Sequence, residues 1–163
     1  MPRLPALFLA LAIALPGAAS AQDRDLQEIA RYALTEDALA KYANATEKLR
    51  LIAGEVMPCN QGDADADSIH AVATRIDGIP RAKAAIEAAG LTPHEFAVFG
   101  LAVFHAGMAA WAQEQGDRTL PPGVTRANLD FYNAHKAAIE AIRPLEESAC
   151  EQDGEVGNPV QDR

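Results

Sequence analysis

Two histidines, His105 and His135, are the residues whose type and position could support chemistry. His105 lies in the most apolar stretch of the chain, and His135 lies on an apolar stripe further along. If both stretches form antiparallel helices, the two imidazoles could face each other and ligate haem iron, or zinc or copper with a third ligand. The alternative is that each ring hydrogen-bonds to a neighbouring helix. We favour this alternative and predict no cofactor, because no histidine stands in a ligand motif.

The only two cysteines, Cys59 and Cys150, lie too far apart in sequence for a Cys-X-X-Cys redox motif. Both follow an N-terminal segment with the features of an export signal, and paired cysteines oxidise in exported proteins. We therefore expect a disulfide between them. Closing a loop of this length would stabilise the fold by roughly 4 to 5 kcal/mol in the chain-entropy treatment.

Other reactive arrangements are incomplete. Residues 63–67 carry aspartates at alternate positions, as a calcium loop does, but Ser68 stands where such a loop needs Gly and Thr74 where it needs Glu. We interpret this stretch as an acidic helix entry, with Asp67 or Ser68 as the cap. The chain has no Gly-X-Ser-X-Gly turn and no Gly-rich phosphate loop. We predict that the protein is not an enzyme.

The N-terminus has the layout of a cleaved secretory signal. Arg3 precedes an apolar run over residues 4–15, and small residues at 19–21 suit cleavage before Gln22. The run is too short for a bilayer span, which needs about 20 residues. We expect residues 1–21 to be removed and the protein to be periplasmic or secreted, with no membrane span after cleavage.

The charge of the processed chain argues against anionic partners. Removing 21 of the 163 residues leaves 142, and because the removed segment carries one Arg and no acid, the formal charge changes from −9 to −10. This charge repels phosphate backbones and anionic lipids, so we exclude nucleic acid as a partner. A chain of this length can bury the core of one domain.

The pattern of apolar residues predicts an all-α fold. Alanine is abundant, strand signals are almost absent, and apolar residues recur at intervals of three and four. Thr35, Thr92 and Thr125 are expected helix N-caps, and Thr92 and Glu95 form a capping box. We expect helices over 36–57, 68–76, 81–89, 93–115 and 126–143, and a short helical turn within 23–34. Gly90 and Gly116 should end two of these helices.

The helix beginning at Pro93 is apolar on every side, because His105 is the only strongly polar residue between 96 and 112. Such a helix is either the centre of a bundle or a membrane span. The length of this stretch, 17 residues, and its capping box favour the centre of an irregular four- or five-helix bundle. We assign residues 22–150 to this domain and residues 151–163 to a disordered acidic tail.

The central helix also carries the features that bear on binding. Its aromatic residues occupy more than one side and are expected to pack in the core: Phe96, Phe99, Phe104 and Trp111. Gly100 and Gly107 leave a smooth strip where a helix backbone or a flat apolar ligand could lie close, and we favour the backbone.

Three segments resemble a family of small exported bacterial helical proteins with no assigned activity. They are residues 90–96 (GLTPHEF), residues 106–110 (AGMAA) and residues 122–136. The resemblance implies a secreted helical domain and carries over no catalytic residue. Together with the residue analysis, it favours a non-enzymatic domain that binds an unknown protein partner or a small apolar ligand. The alternative function is haem or metal binding through His105 and His135.

Overall fold

The computed structural model describes residues 21–56 and 68–142, and every regular element in these two ranges is an α-helix. The prediction of an all-α protein is therefore confirmed. Residues 1–20 of the expected signal, both cysteines and the expected acidic tail lie outside the described residues. The helices within the described ranges are α1 (Ala21–Arg31), α2 (Glu36–Arg50), α3 (Ala53–Val56), α4 (Ile69–Asp77), α5 (Pro80–Glu87), α6 (Pro93–Glu114) and α7 (Arg126–Glu140).

Four helices begin at the hydroxyl side chains expected to cap them. Thr35, Ser68, Thr92 and Thr125 have extended backbones, and each side-chain oxygen accepts a hydrogen bond from the backbone N–H three residues later. Each cap satisfies one of the N–H groups that a helix start leaves without a partner inside the helix. The cap of α4 is Ser68, one of the two residues proposed for that position.

Helix lengths differ from the sequence-based expectation in three places. The single helix expected over 36–57 is two helices, α2 and α3, separated by a turn at Leu51 and Ile52. Residues Ala21–Arg31 form an eleven-residue helix instead of a short turn, since the buried Ile29 anchors α1 to the core. Helix α7 ends at Glu140, four residues before Pro144, the proline expected to stop it. The buried side chains of α7 are Asn128 and Leu129, both near its start.

Helix α6 is the element around which the others pack, because it contacts α1, α2, α4, α5 and α7. Three groups of buried side chains follow one another along it. Near its start, Phe96 packs with residues of α2, α4 and α5. Further along, buried residues from Phe99 to Ala106 pack with residues of α1, α2 and α4. Ala109 and Ala110 then pack with Leu129 of α7.

The ends of α5 and α6 are followed by glycines in the left-handed region, as expected. Gly90 has a φ of 84° and Gly116 a φ of 95°. Other residues rarely adopt this conformation, which allows the chain to turn away from a helix end. By length and composition alone, α6 also qualifies as a membrane span, and 44% of its most apolar window is buried against the other helices.

Candidate functional site

One side of α6 leaves large apolar side chains in solvent. Phe104 is 61% exposed, Met108 51% and Trp111 58%. Sequence analysis expected Phe104 and Trp111 to pack in the core with Phe96 and Phe99. Only the latter pair is buried, so the expectation was wrong for Phe104 and Trp111.

These exposed residues form a continuous stripe with Leu101, which is partly buried. We call Leu101, Phe104, Met108 and Trp111 the α6 seam. Their spacings of three, four and three residues place them along one face of the helix. Exposed apolar residues scattered singly are ordinary, whereas a contiguous patch marks a place where a protein binds something.

The two glycines of α6 lie beside the seam and receive tyrosine rings. A Cβ atom at Gly100 would lie 3.2 Å from the Tyr42 hydroxyl, and one at Gly107 would lie 3.1 Å from the Tyr132 ring. The close contact that the glycines permit is therefore with aromatic side chains of α2 and α7, where sequence analysis favoured a helix backbone. Tyr42 is held in place by the rings of Phe96 and Phe99, at centroid distances of 4.7 and 4.8 Å.

His105 flanks the seam on its other side. Its ring meets the edge of the Phe104 ring at a centroid distance of 5.9 Å. Burial lowers the pKa of His105 below its ordinary value of 6.5, because the charged imidazolium is poorly solvated there. The ring is therefore neutral at physiological pH, so this flank of the seam carries no charge.

His135 lies between α7 and α2. Its Nδ1 is 2.9 Å from the Phe131 carbonyl oxygen, and its Nε2 is 3.3 Å from Oε1 of Glu36. Its ring also stacks on the Phe131 ring at a centroid distance of 4.1 Å. Both nitrogens of His135 thus face oxygen atoms within the fold.

The described contacts of the two histidines do not join them to each other: His105 contacts its own helix, and His135 contacts α7 and α2. Within residues 21–56 and 68–142, no group of three His, Cys, Asp or Glu side chains is placed to hold a metal ion. What the structure places beside the seam is a single neutral imidazole.

Charged groups of α6 stand only near its two ends. Glu95 belongs to the capping box, and Glu114 accepts a hydrogen bond from Nζ of Lys136 at 3.0 Å. Between them the helix has no Asp, Glu, Lys or Arg. The seam is therefore an uncharged surface suited to apolar contact.

No protein family, curated protein or solved structure matches this chain. The resemblance to exported helical proteins thus rests on the residues that suggested it.

Asn128 is a buried polar residue that no sequence motif singles out. It is 3% exposed, accepts a hydrogen bond from the Leu34 N–H at 3.1 Å and donates one to the Tyr32 carbonyl oxygen at 2.8 Å. Its partners lie more than 90 residues away in sequence, so no local pattern indicates this role. Asn128 fastens the connection between α1 and α2 to the start of α7.

Proposed function

We propose that the protein is an exported, non-enzymatic helical domain that binds an apolar partner at the α6 seam. The observation that carries this proposal is the exposure of Phe104, Met108 and Trp111 by more than half on one face of the helix that builds the core. Burying each such side chain in a complex would gain roughly 1 kcal/mol or more.

The chemistry of the seam supports binding over catalysis. Its members are aliphatic, aromatic and thioether side chains, and its flanks are glycines, Ala112, the neutral His105 and Glu114, which is paired with Lys136. None of these offers an activated nucleophile or a pair of acid and base groups. Aromatic residues and methionine are the side chains enriched at the centres of protein interfaces.

The remaining features of the proposal come from the sequence. Cleavage of residues 1–21 would release the domain to the periplasm or the medium, and a Cys59–Cys150 disulfide would link the end of α3 to the chain beyond α7. The contacts of α6 with five other helices support an irregular bundle with α6 at its centre. In such a bundle α6 is a core helix of a water-soluble domain rather than a membrane span.

A neutral apolar dye tests the proposal without knowledge of the natural ligand. We expect Nile red to bind the chain purified from the periplasm, with increased dye fluorescence. The double variant Phe104→Ser/Met108→Ser should lose most of this increase, because the seam loses two of its large apolar side chains. Circular dichroism should show unchanged helix content, since both residues are exposed.

Leu51→Ser is the matched control, because Leu51 is 79% exposed and lies outside α6. This variant should bind the dye as the native chain does. Absence of dye binding, or equal loss in the control and the seam variant, would contradict the proposal.

A further inference from the structure

We infer that the partner of the α6 seam is the α6 seam of a second copy of this chain, in an antiparallel helix pair. This inference rests on the proposed binding role of the seam and names its occupant.

The seam has the spacing of a helix that pairs with another helix. Intervals of three, four and three residues place Leu101, Phe104, Met108 and Trp111 at successive core positions of a heptad. Because four residues of one copy can interlock with the same four of another, the surface is complementary to itself under a two-fold axis.

The positions that flank a paired seam select the partner through their charges. In α6 these positions hold Gly100, His105, Gly107, Ala112 and Glu114. Four of them are uncharged at neutral pH, and Glu114 is already paired with Lys136. Apart from the paired Glu114, α6 therefore has no charged group beside the seam that would select a foreign helix of complementary charge.

The order of the side chains favours the antiparallel orientation. A two-fold axis near Ala106 places Phe104 opposite Met108 of the second copy and Leu101 opposite Trp111, so that each bulky ring meets a flexible or smaller side chain. In this antiparallel arrangement the two helix dipoles also point in opposite directions, and the two copies of Glu114 lie apart. A parallel pair would stack Trp111 on Trp111 and bring the two Glu114 carboxylates together.

Segments of the processed chain outside the described residues offer little to cover the seam. Residues 57–67 contain one large apolar residue, Met57. Their other residues include one proline, one glycine, two amides and three aspartates. Residues 143–163 contain Leu145, Val156 and Val160, set among acidic and polar residues. Neither segment carries four apolar side chains at helical spacing, so we expect the complement to come from another molecule.

The exposed apolar area of the seam limits the affinity of the dimer. Large aromatic and similar side chains present 150 to 250 Å² each, so the exposed parts of Phe104, Met108 and Trp111 amount to roughly 300 Å² per copy. A pair of copies would bury roughly 600 Å² from these residues, below the roughly 1,200 Å² of a stable complex. We therefore expect a weak dimer with a Kd on the order of 100 μM.

Sedimentation velocity of the chain purified from the periplasm tests the pairing. From about 10 μM to about 1 mM, we expect the sedimentation coefficient to rise from that of a monomer to that of a dimer. Trp111 is the only tryptophan, so its emission should move to shorter wavelength over the same range. Phe104→Ser/Met108→Ser should stay monomeric with unchanged emission, and Leu51→Ser should dimerise as the native chain does.

Glu114→Gln tests the orientation. In the antiparallel pair its dimer Kd should equal that of the native chain, because the two carboxylates lie far apart. A severalfold tighter dimer would overturn the antiparallel arrangement. Dimerisation of the seam variant would overturn the whole inference.

The outcomes also separate this inference from the proposed function. A chain that stays monomeric throughout but binds Nile red through the seam overturns the pairing and leaves the binding role in place. The same holds if the monomer binds phosphatidylcholine vesicles through the seam. A monomer that binds neither dye nor vesicle overturns both.

Discussion

Asn128 is suited to its position because an amide side chain is at once a donor and an acceptor. Its Oδ1 accepts from the Leu34 N–H and its Nδ2 donates to the Tyr32 carbonyl oxygen. Backbone groups of the short connection between α1 and α2 have no helix partner at these positions. The side chain thus supplies, from α7, the hydrogen bonds that this connection needs.

We predict that Asn128→Ala lowers the free energy of unfolding by about 2 to 4 kcal/mol, because two backbone groups lose their partner in a buried place. Urea denaturation followed by circular dichroism measures the change. Asn133→Ala, at an exposed position of the same helix, is the control and should change stability by less than about 0.5 kcal/mol. Similar losses in both variants would contradict the role given to Asn128.

His105 should make the free energy of unfolding depend on pH. Burial lowers the pKa of His105 in the folded chain below 6.5, so the unfolded chain takes up the proton first as the pH falls. Stability should therefore decline from about pH 6.5 down to the folded-state pKa. In His105→Gln, the free energy of unfolding should fall less between pH 7 and pH 5 than in the native chain.

A proton NMR titration of the His105 ring checks the cause directly. We expect its midpoint below 6.5 in the folded chain. A midpoint at or above this value would show that burial does not govern this imidazole.

At the scale of the element, the start of α6 is held by a reciprocal pair of side chains. The Glu95 carboxylate accepts from the Thr92 N–H at 2.8 Å and from the Thr92 hydroxyl at 2.9 Å, while the Glu95 N–H donates to Thr92 Oγ1 at 3.1 Å. The hydrogen bond from the Thr92 backbone, followed by that from its side chain, lowers the pKa of Glu95. The capping box thus stabilises the ionised form of the Glu95 carboxyl group.

We predict that Glu95→Ala lowers the free energy of unfolding by about 1 kcal/mol at pH 7. Because the pKa of Glu95 is depressed in the folded chain, its contribution is present above the ordinary value of 4.5 and is lost as the pH falls through the folded-state pKa. The native chain and Glu95→Ala should therefore converge in stability once the pH lies below the folded-state pKa of Glu95, as measured by urea denaturation. If the difference in free energy of unfolding between the native chain and Glu95→Ala stayed constant with pH, the loss of stability would not come from the carboxylate.

Local signals in the sequence predicted the helix starts well. They failed for side-chain burial and hydrogen bonding that depend on residues distant in sequence. Ser68, Thr92 and Thr125 cap neighbours three residues away, so a short window contains the whole interaction. The exposure of Phe104 could not be inferred, because a helix that is apolar on all sides has no periodicity to show which side is covered. Asn128 escaped notice for the related reason that its partners belong to another part of the fold.

At the scale of the whole molecule, the expected disulfide joins two regions distant in sequence. We predict that the purified chain contains a Cys59–Cys150 bond, detected as a linked peptide by mass spectrometry without reduction. Reduction, or Cys59→Ser/Cys150→Ser, should lower the free energy of unfolding by roughly 4 to 5 kcal/mol. Free thiols in the native chain, measured with a thiol reagent, would contradict this prediction.

The first helix has a consequence for the order of events during export. Helix α1 begins at Ala21, and in the folded chain Asp25 accepts a hydrogen bond from the Ile69 N–H at 3.2 Å. Proteolysis acts on locally opened chain, so a peptidase can cut between Ala21 and Gln22 only while the first turn of α1 is unwound. If export proceeds by that cut, cleavage comes before the first turn of α1 folds.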